Sequence, residues 1–332
     1  MLLPIIKGLA TYLPGLYRFA RHNTGGTNSA RYCYSVWLRH LINTRNVNGG
    51  KPPEVVAEIG PGDSLGIGLA ALVSGAEKYF AFDVLEYADN KRNLLILEEI
   101  ITLFRETTAI PAEIEFPRLK PPLDSYAFPS QILPPEELER LLAPERLDAI
   151  RSALLNLNKP RPPIDAEPRS RGSAAAAAAA TGLFEIRYVV PWSDPHEIAE
   201  ATVDLIYSQA AMEHVEDAKG TYAAAYKWLK PGGTMSNQVD LSSHGISKEW
   251  NGHWAYSDFM WRVIKGRRPY LLNRLPYSTH TALIKKAGFV ILRNLPFKNT
   301  SGMDRASLAD CFSGLTDEDL STSGFFIQAG KP

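Results

Sequence analysis

Val55 to Gly66 reads VVAEIGPGDSLG. Val55 to Ile59 is a short apolar run with β-branched residues, the pattern of a buried strand. Gly60-Pro61-Gly62 then turns the chain, and Leu65 to Ser74 has the composition of a helix. Glycine lacks a Cβ, so such a turn lets the backbone approach a ligand closely. The helix opening behind it adds free N–H groups and the positive end of its dipole. Lys78 to Val84, KYFAFDV, is a second strand. Strand, turn, helix and strand within about 30 residues form the βαβ unit of a parallel sheet. Asp83 ends the second strand about 20 residues past the turn, the spacing at which a carboxylate meets a ribose hydroxyl pair. Its alternative role is a helix cap.

Five more strands follow in the patterning: Phe184 to Pro191, Val203 to Ser208, Thr234 to Leu241, Phe289 to Leu295 and Gly324 to Ala329. Helical stretches separate several of them, at Tyr222 to Leu229 and Ser278 to Ala287, and Lys230-Pro231-Gly232-Gly233 stops the first of these. The pattern predicts an α/β fold with a doubly wound, seven-stranded sheet. Residues 1–50 read as an N-terminal helical segment, with Arg31 to Leu41 at helical spacing, and residues 51–332 as the main domain. Within it, residues 87–182 are a helical and looped insertion between strands two and three. Asn90 to Arg105 and Pro135 to Leu157 look helical, Pro111 to Pro135 extended, and Lys159 to Gly182 loose and mobile. That last stretch holds seven consecutive alanines, Ala174 to Ala180, which have no apolar face to bury and carry no functional reading.

Composition narrows the classes. Of 332 residues, 36 are Lys or Arg and 36 are Asp or Glu, and this balance argues against a nucleic-acid partner. Cys33 and Cys311 are too few and too far apart for a disulfide scaffold or a zinc site; no metal site is read, and two reduced thiols suit a cytoplasmic protein. Met1 to Ala20 is apolar but broken by Pro4, Lys7, Pro14 and Arg18, which excludes a stable membrane span and a signal peptide. An amphipathic helix packed on the domain, or lying on a membrane surface, fits it.

Four segments in order carry a family resemblance: Glu58 to Gly66; Asp83; Asp204 to Val215, DLIYSQAAMEHV; and Leu229 to Gly233, LKPGG. Together they resemble class I S-adenosylmethionine-dependent methyltransferases of the broad type 11 kind, over roughly residues 54–240. The resemblance implies a Rossmann-like sheet of order 3-2-1-4-5-7-6 with the last strand antiparallel, and S-adenosylmethionine as cofactor. It implies that Glu58, Gly60 and Gly62 lie against the methionine half, that Asp83 holds the ribose, and that Val84 and Leu85 flank the adenine. Trp192 and Ser193 would reach the adenine edge; Ser208, Gln209 and Ala210 would lie under the methionine and sulfonium. Ser64 stands where the family often has a third glycine, and can still cap the helix. An NAD-type site would show G-x-G-x-x-G, which Gly60, Gly62 and Leu65 do not supply. Together with Thr24 to Leu41, the chain also resembles methyltransferases found with bacterial polysaccharide biosynthesis.

Val239 to Arg274, after the fifth strand, is rich in aromatic and hydrogen-bonding residues. Asp240, Trp250, Asn251, Trp254 and Tyr256 are the candidate acceptor contacts, since ring faces match the C–H faces of a sugar; a core role for the tryptophans is the alternative. His214, His244 and His253 are the candidate bases, because imidazole titrates near neutral pH. The expected function is methyl transfer to a small molecule or saccharide, with oxygen preferred. The alternatives are small-metabolite N-methylation and a non-catalytic cofactor-binding partner. A homodimer is compatible with all three.

Overall fold

The computed structural model describes residues 2–13, 25–49, 52–157 and 184–332. The alanine run and the stretch expected to be mobile, Lys159 to Gly182, lie outside them. β1 (Val55–Ile59) is the inner strand around which the rest is laid out. It pairs in parallel with β2 (Lys78–Phe82) on one edge and β4 (Val203–Gln209) on the other. With β3 (Glu185–Val189), β5 (Leu229–Asp240), β6 (Val290–Lys298) and β7 (Thr322–Gly330) the sheet runs β3-β2-β1-β4-β5-β7-β6. β7 is antiparallel to both neighbours. This is the sheet order expected above.

Helices cover both faces, so β1 is apolar nearly throughout. On one face α2 (Ala30–Asn48), α3 (Gly66–Val73), α4 (Asn90–Arg105) and α6 (Pro144–Leu155) share a core containing Trp37, Leu69, Tyr79, Phe104, Ile150 and Tyr207. Ser29 caps α2 by accepting from the Tyr32 N–H, and Gly49, at φ 60°, ends it. α2 is thus part of the core that the sheet builds. On the other face α7 (Ala218–Trp228) and α9 (Tyr277–Lys286) pack on the sheet, with Trp228 stacked on Phe82 at 4.8 Å.

Two elements differ from their sequence patterns. Pro135 to Leu157 is not one helix but α5 (Pro135–Leu141) and α6, because Pro144 lacks an N–H and holds Ala143 extended at ψ 137°. β5 starts at Leu229, before the Pro-Gly-Gly expected to separate helix from strand. The register against β4 shifts there between Val203/Leu229 and Leu205/Thr234, so the extra residues form a bulge. The Lys331 carbonyl accepts from the Gly232 N–H, and Lys331 N–H donates to Gly233, which ties the bulge to the end of β7.

α1 (Leu2–Ala10) packs on α8 (Asp258–Lys265), where Gly8 lies so close that any Cβ would strike the Val263 and Ile264 carbonyls. The Arg267 N–H donates to Thr11 Oγ1 at 2.9 Å. Among the described residues, no helix is long and apolar enough to cross a membrane.

Candidate active site

A cavity of ≈ 1710 Å³ opens at the carboxyl ends of β1, β2, β4 and β5. An open α/β sheet binds ligands there because its strand order reverses beside β1. Gly60 and Gly62, at φ 76° and 72°, carry the floor from β1 toward α3. A Cβ on Gly60 would stand 2.5 Å from the Ala211 Cβ, so a side chain there would force β1 and β4 apart. Ser64 accepts from the Gly66 N–H at 3.1 Å and donates to the Thr27 carbonyl, so it fixes the turn into α3 and ties down the loop before α2.

Asp83 stands at one end. Its Oδ1 accepts from the Val84 N–H at 2.7 Å and the Leu85 N–H at 3.4 Å. Burial pushes its carboxyl up to about 6, against the pull of the Val84, Leu85 and Gly62 N–H groups. Trp192 closes this end, with its ring 5.2 Å from Phe82 and its Nε1–H donating to the Asp194 carbonyl.

At the other end a polar cluster converges. Glu213 follows β4 and is 2% exposed, and neither of its carboxylate oxygens has a hydrogen-bond partner. Nε2 of His214 and Nε2 of His244 each lie 4.0 Å from Glu213 Oε1, and Asp240 Oδ2 lies 3.6 Å from His244 Nε2. The two imidazole rings meet edge to face at 5.0 Å. Burial, then the Asp240 charge, push the Glu213 carboxyl well up; the Glu213 and Asp240 N–H groups oppose this without closing a hydrogen bond. Burial, then His244, push His214 down to about 4. Asn273 holds the segment in place: its Nδ2 donates to the Met212 and Val215 carbonyls, and its N–H to the Glu213 carbonyl at 2.7 Å. Ala210 and His244 both have φ 49°, an unusual conformation for residues with a Cβ and one that clusters at functional sites.

Residues 163–236 match the family model described as methyltransferase domain. The match takes in β3, β4, α7 and most of the β5 bulge, and the strand order and antiparallel β7 agree with it. Over that stretch the chain is similar to the methyltransferase domain family, and the sheet around it has the Rossmann-like methyltransferase order. No curated protein matches the chain. Similar solved structures include an S-adenosylmethionine-dependent methyltransferase from Methanosarcina mazei, 11% identical, covering 86% of this chain and 95% of that one, TM-score 0.40. Another is an S-adenosylmethionine-dependent methyltransferase from Mesorhizobium loti, 12% identical, covering 84% and 91%, TM-score 0.36. A third is phosphoethanolamine N-methyltransferase 2 from Haemonchus contortus, bound to S-adenosyl-L-methionine, 14% identical, covering 89% and 53%, TM-score 0.38.

The cavity fits S-adenosylmethionine. Gly60 has no room for a Cβ, Gly60 and Gly62 both line the cavity with bare backbone, and Asp83 brings a carboxylate to the same space. Val84, Trp192, Ser193, Gln209 and Ala210 line the same cavity. Three other residues expected on the cofactor side do not line it. Glu58 is turned under the floor, where Tyr79 and Tyr207 hydroxyls donate to it, the second at 3.1 Å; burial pushes its carboxyl up to about 7. Ser208 is buried in the sheet, and the Leu85 N–H turns back to Asp83.

Of the residues expected on the acceptor side, Asp240, Trp250, His214 and His244 line the cavity. Asn251, His253, Trp254 and Tyr256 do not, which corrects the expectation for these four. The 3-10 turn Gly252–Ala255 aims His253 and Trp254 into the core, where the Trp254 Nε1–H donates to the Arg274 carbonyl at 3.0 Å. Asn251 pins Met303 through its amide, and Tyr256 packs in a separate small core with Trp261. His253 is 2% exposed, and burial pushes it down to about 3.

Sequence reading missed other parts of the wall. Thr27 and Tyr32 come from the loop and first turn of α2, Phe116 to Lys120 from the extended part of the insertion, and Leu3, Pro4 and Lys7 from α1. The Gln209 Nε2 donates to the Lys120 carbonyl at 3.4 Å and to Gln238 Oε1 at 3.0 Å, which joins the insertion to the strand ends. No local pattern marks these residues, because each reaches the cavity through packing.

Proposed function

We propose that the chain methylates a hydroxyl oxygen of a small, polyhydroxylated acceptor, with a saccharide as the preferred class. One observation carries the reading: the cavity has a cofactor end at Asp83 and a second end where His214, His244, Asp240 and the Trp250 ring face the same space. At ≈ 1710 Å³ it exceeds the ~300–1,000 Å³ of a single-ligand pocket, so it has room for a second molecule.

S-adenosylmethionine supplies a methyl carbon on a sulfonium sulfur, which leaves with the C–S electron pair as the acceptor oxygen forms the new O–C bond. The protein's work is alignment, exclusion of water and removal of the hydroxyl proton. The Asp240, His244 and His214 cluster takes up that proton. The insertion and α1, which wall the mouth, keep water out.

Incubation with methyl-labelled cofactor and a panel of sugars, sugar derivatives and amines tests the reading. Label is expected on a sugar oxygen. His244→Ala is expected to lower the transfer rate by ~10²–10⁴, the usual share of proton removal, with cofactor affinity nearly unchanged. Label on amine nitrogen alone would replace this reading with N-methylation. Cofactor binding with no transfer to any acceptor would favour a non-catalytic partner.

A further inference from the structure

The least comfortable group in the molecule is Glu213. A buried polar group nearly always finds a hydrogen-bond partner, and an ionised carboxylate away from water needs a positive counterpart. Glu213 is 2% exposed, neither oxygen has a donor, and Asp240 adds a second acid beside it. Two imidazoles face its Oε1, each at 4.0 Å through Nε2, too far for a hydrogen bond. No lysine or arginine pairs with it among the described residues.

We propose that Glu213, His214 and His244 bind a divalent transition-metal cation at the acceptor end of the cavity. One ligand atom from each of the three lies within 4.8 Å of the others. Ligands ~2.1 Å from one ion at tetrahedral angles stand ~3.4 Å apart, so the 4.0 Å separations to Glu213 Oε1, and up to 4.8 Å within the set, close with side-chain shifts of roughly an ångström. Two imidazoles and one carboxylate suit zinc, cobalt, iron(II) or manganese rather than calcium or magnesium, which take oxygen ligands. Of the three, His214 and His244 line the cavity, and three protein ligands leave coordination positions free for a further ligand. The backbone supports the arrangement from both sides: Asn273 anchors residues 212–215, and the left-handed turn at His244 brings its ring back over Glu213.

The inference rests on the methyl-transfer reading and refines it. Hydroxyl oxygens of the acceptor would complete the coordination, which fixes the acceptor's place and makes its hydroxyl more acidic. Asp240, beside His244 but outside the three, is then placed to take the proton, while the two histidines act as ligands.

Metal content and binding test this directly, on full-length protein without a histidine tag, stripped with a chelator. Titration with cobalt(II), read by visible absorption and calorimetry, is expected to show about one site per chain, as a three-ligand site holds one ion. Zinc is expected to compete for it. Glu213→Gln, His214→Ala and His244→Ala are each expected to weaken binding by ~10²-fold or more. His196→Ala, on an exposed histidine outside the cluster, is expected to leave it unchanged. If Glu213→Gln does not fold, His244→Ala decides, because its ring is 30% exposed and lies in a loop. No stoichiometric binding by the wild type, or undiminished binding by His244→Ala, overturns the proposal. Cofactor affinity on the same metal-free samples reports separately: its absence would overturn the methyl-transfer reading, whatever the cobalt shows.

Discussion

Asp83 shows how much one residue's setting decides. Its place at the end of the second strand is visible in the sequence, but its acidity is a product of burial. A carboxylate binds a hydroxyl pair better than a neutral carboxyl, since hydrogen bonds to a charged acceptor are stronger. With the free group at about 6, cofactor affinity is expected to be level above that pH and to fall as pH drops below it. Asp83→Asn is expected to weaken binding by ~1–3 kcal/mol near neutral pH and to remove most of this dependence. Calorimetry on both proteins between about pH 5 and 8 makes the comparison, across the range where the carboxyl titrates. Equal affinity for the two at neutral pH would show that Asp83 does not hold the cofactor.

At the scale of elements, α3 is the best example of sequence and packing acting together. All eight of its residues are buried, so its glycines are there for closeness and not for flexibility. A Cβ on Gly66 would stand 2.5 Å from Cys33 Sγ, and one on Gly68 would run into the Tyr79 ring. Tyr79 in turn donates to Glu58 beneath the cofactor floor. Alanine is the better helix former by about 1 kcal/mol, so propensity alone predicts that Gly68→Ala stabilises. Overpacking costs ~1–3 kcal/mol and is expected to win, with a lower urea midpoint and weaker cofactor binding as the Tyr79–Glu58 contact shifts. A more stable Gly68→Ala protein would mean that α3 can move away from β2 without penalty. The α5–α6 break and the β5 bulge show the reverse case: Pro144 was visible, but whether it would kink or split the helix depended on what lay beyond it.

For the whole molecule the balance of buried titratable groups sets the pH range of stability. His40, His253 and His280 are buried and pushed down to about 4, 3 and 4, chiefly by burial. As pH falls through the unfolded value of 6.5, the unfolded chain takes up protons that these three refuse, so stability is lost with acid. Glu58 and Asp83, raised to about 7 and 6, act in the opposite sense, since the native state keeps protons that the unfolded chain has released. The refused histidine protons outnumber the retained carboxyl protons, so stability is expected to fall on acidification between about pH 6 and 4.5. Urea unfolding at the two ends of that window checks the sign, and higher stability at the acid end would refute it. His280→Gln is expected to flatten the slope.

The sequence alone determined the fold class, because strand and helix periodicities and the turn at Gly60-Pro61-Gly62 are local properties of the chain. It also placed Asp83, Gln209, Ala210 and Asp240 at strand ends, since a strand's length is readable from its apolar run. Only the tertiary structure decided which of the side chains after β5 face the cavity. Trp250 and Trp254 are four residues apart and pack on each other in the same core, yet only Trp250 also lines the cavity, because the 3-10 turn Gly252–Ala255 carries Trp254 away from it. The Glu213, His214 and His244 cluster joins residues about thirty positions apart, through a left-handed turn at His244 and the hydrogen bonds of Asn273. Periodicity carries no information about such contacts; they form where two loops from neighbouring parallel strands meet above the same sheet edge.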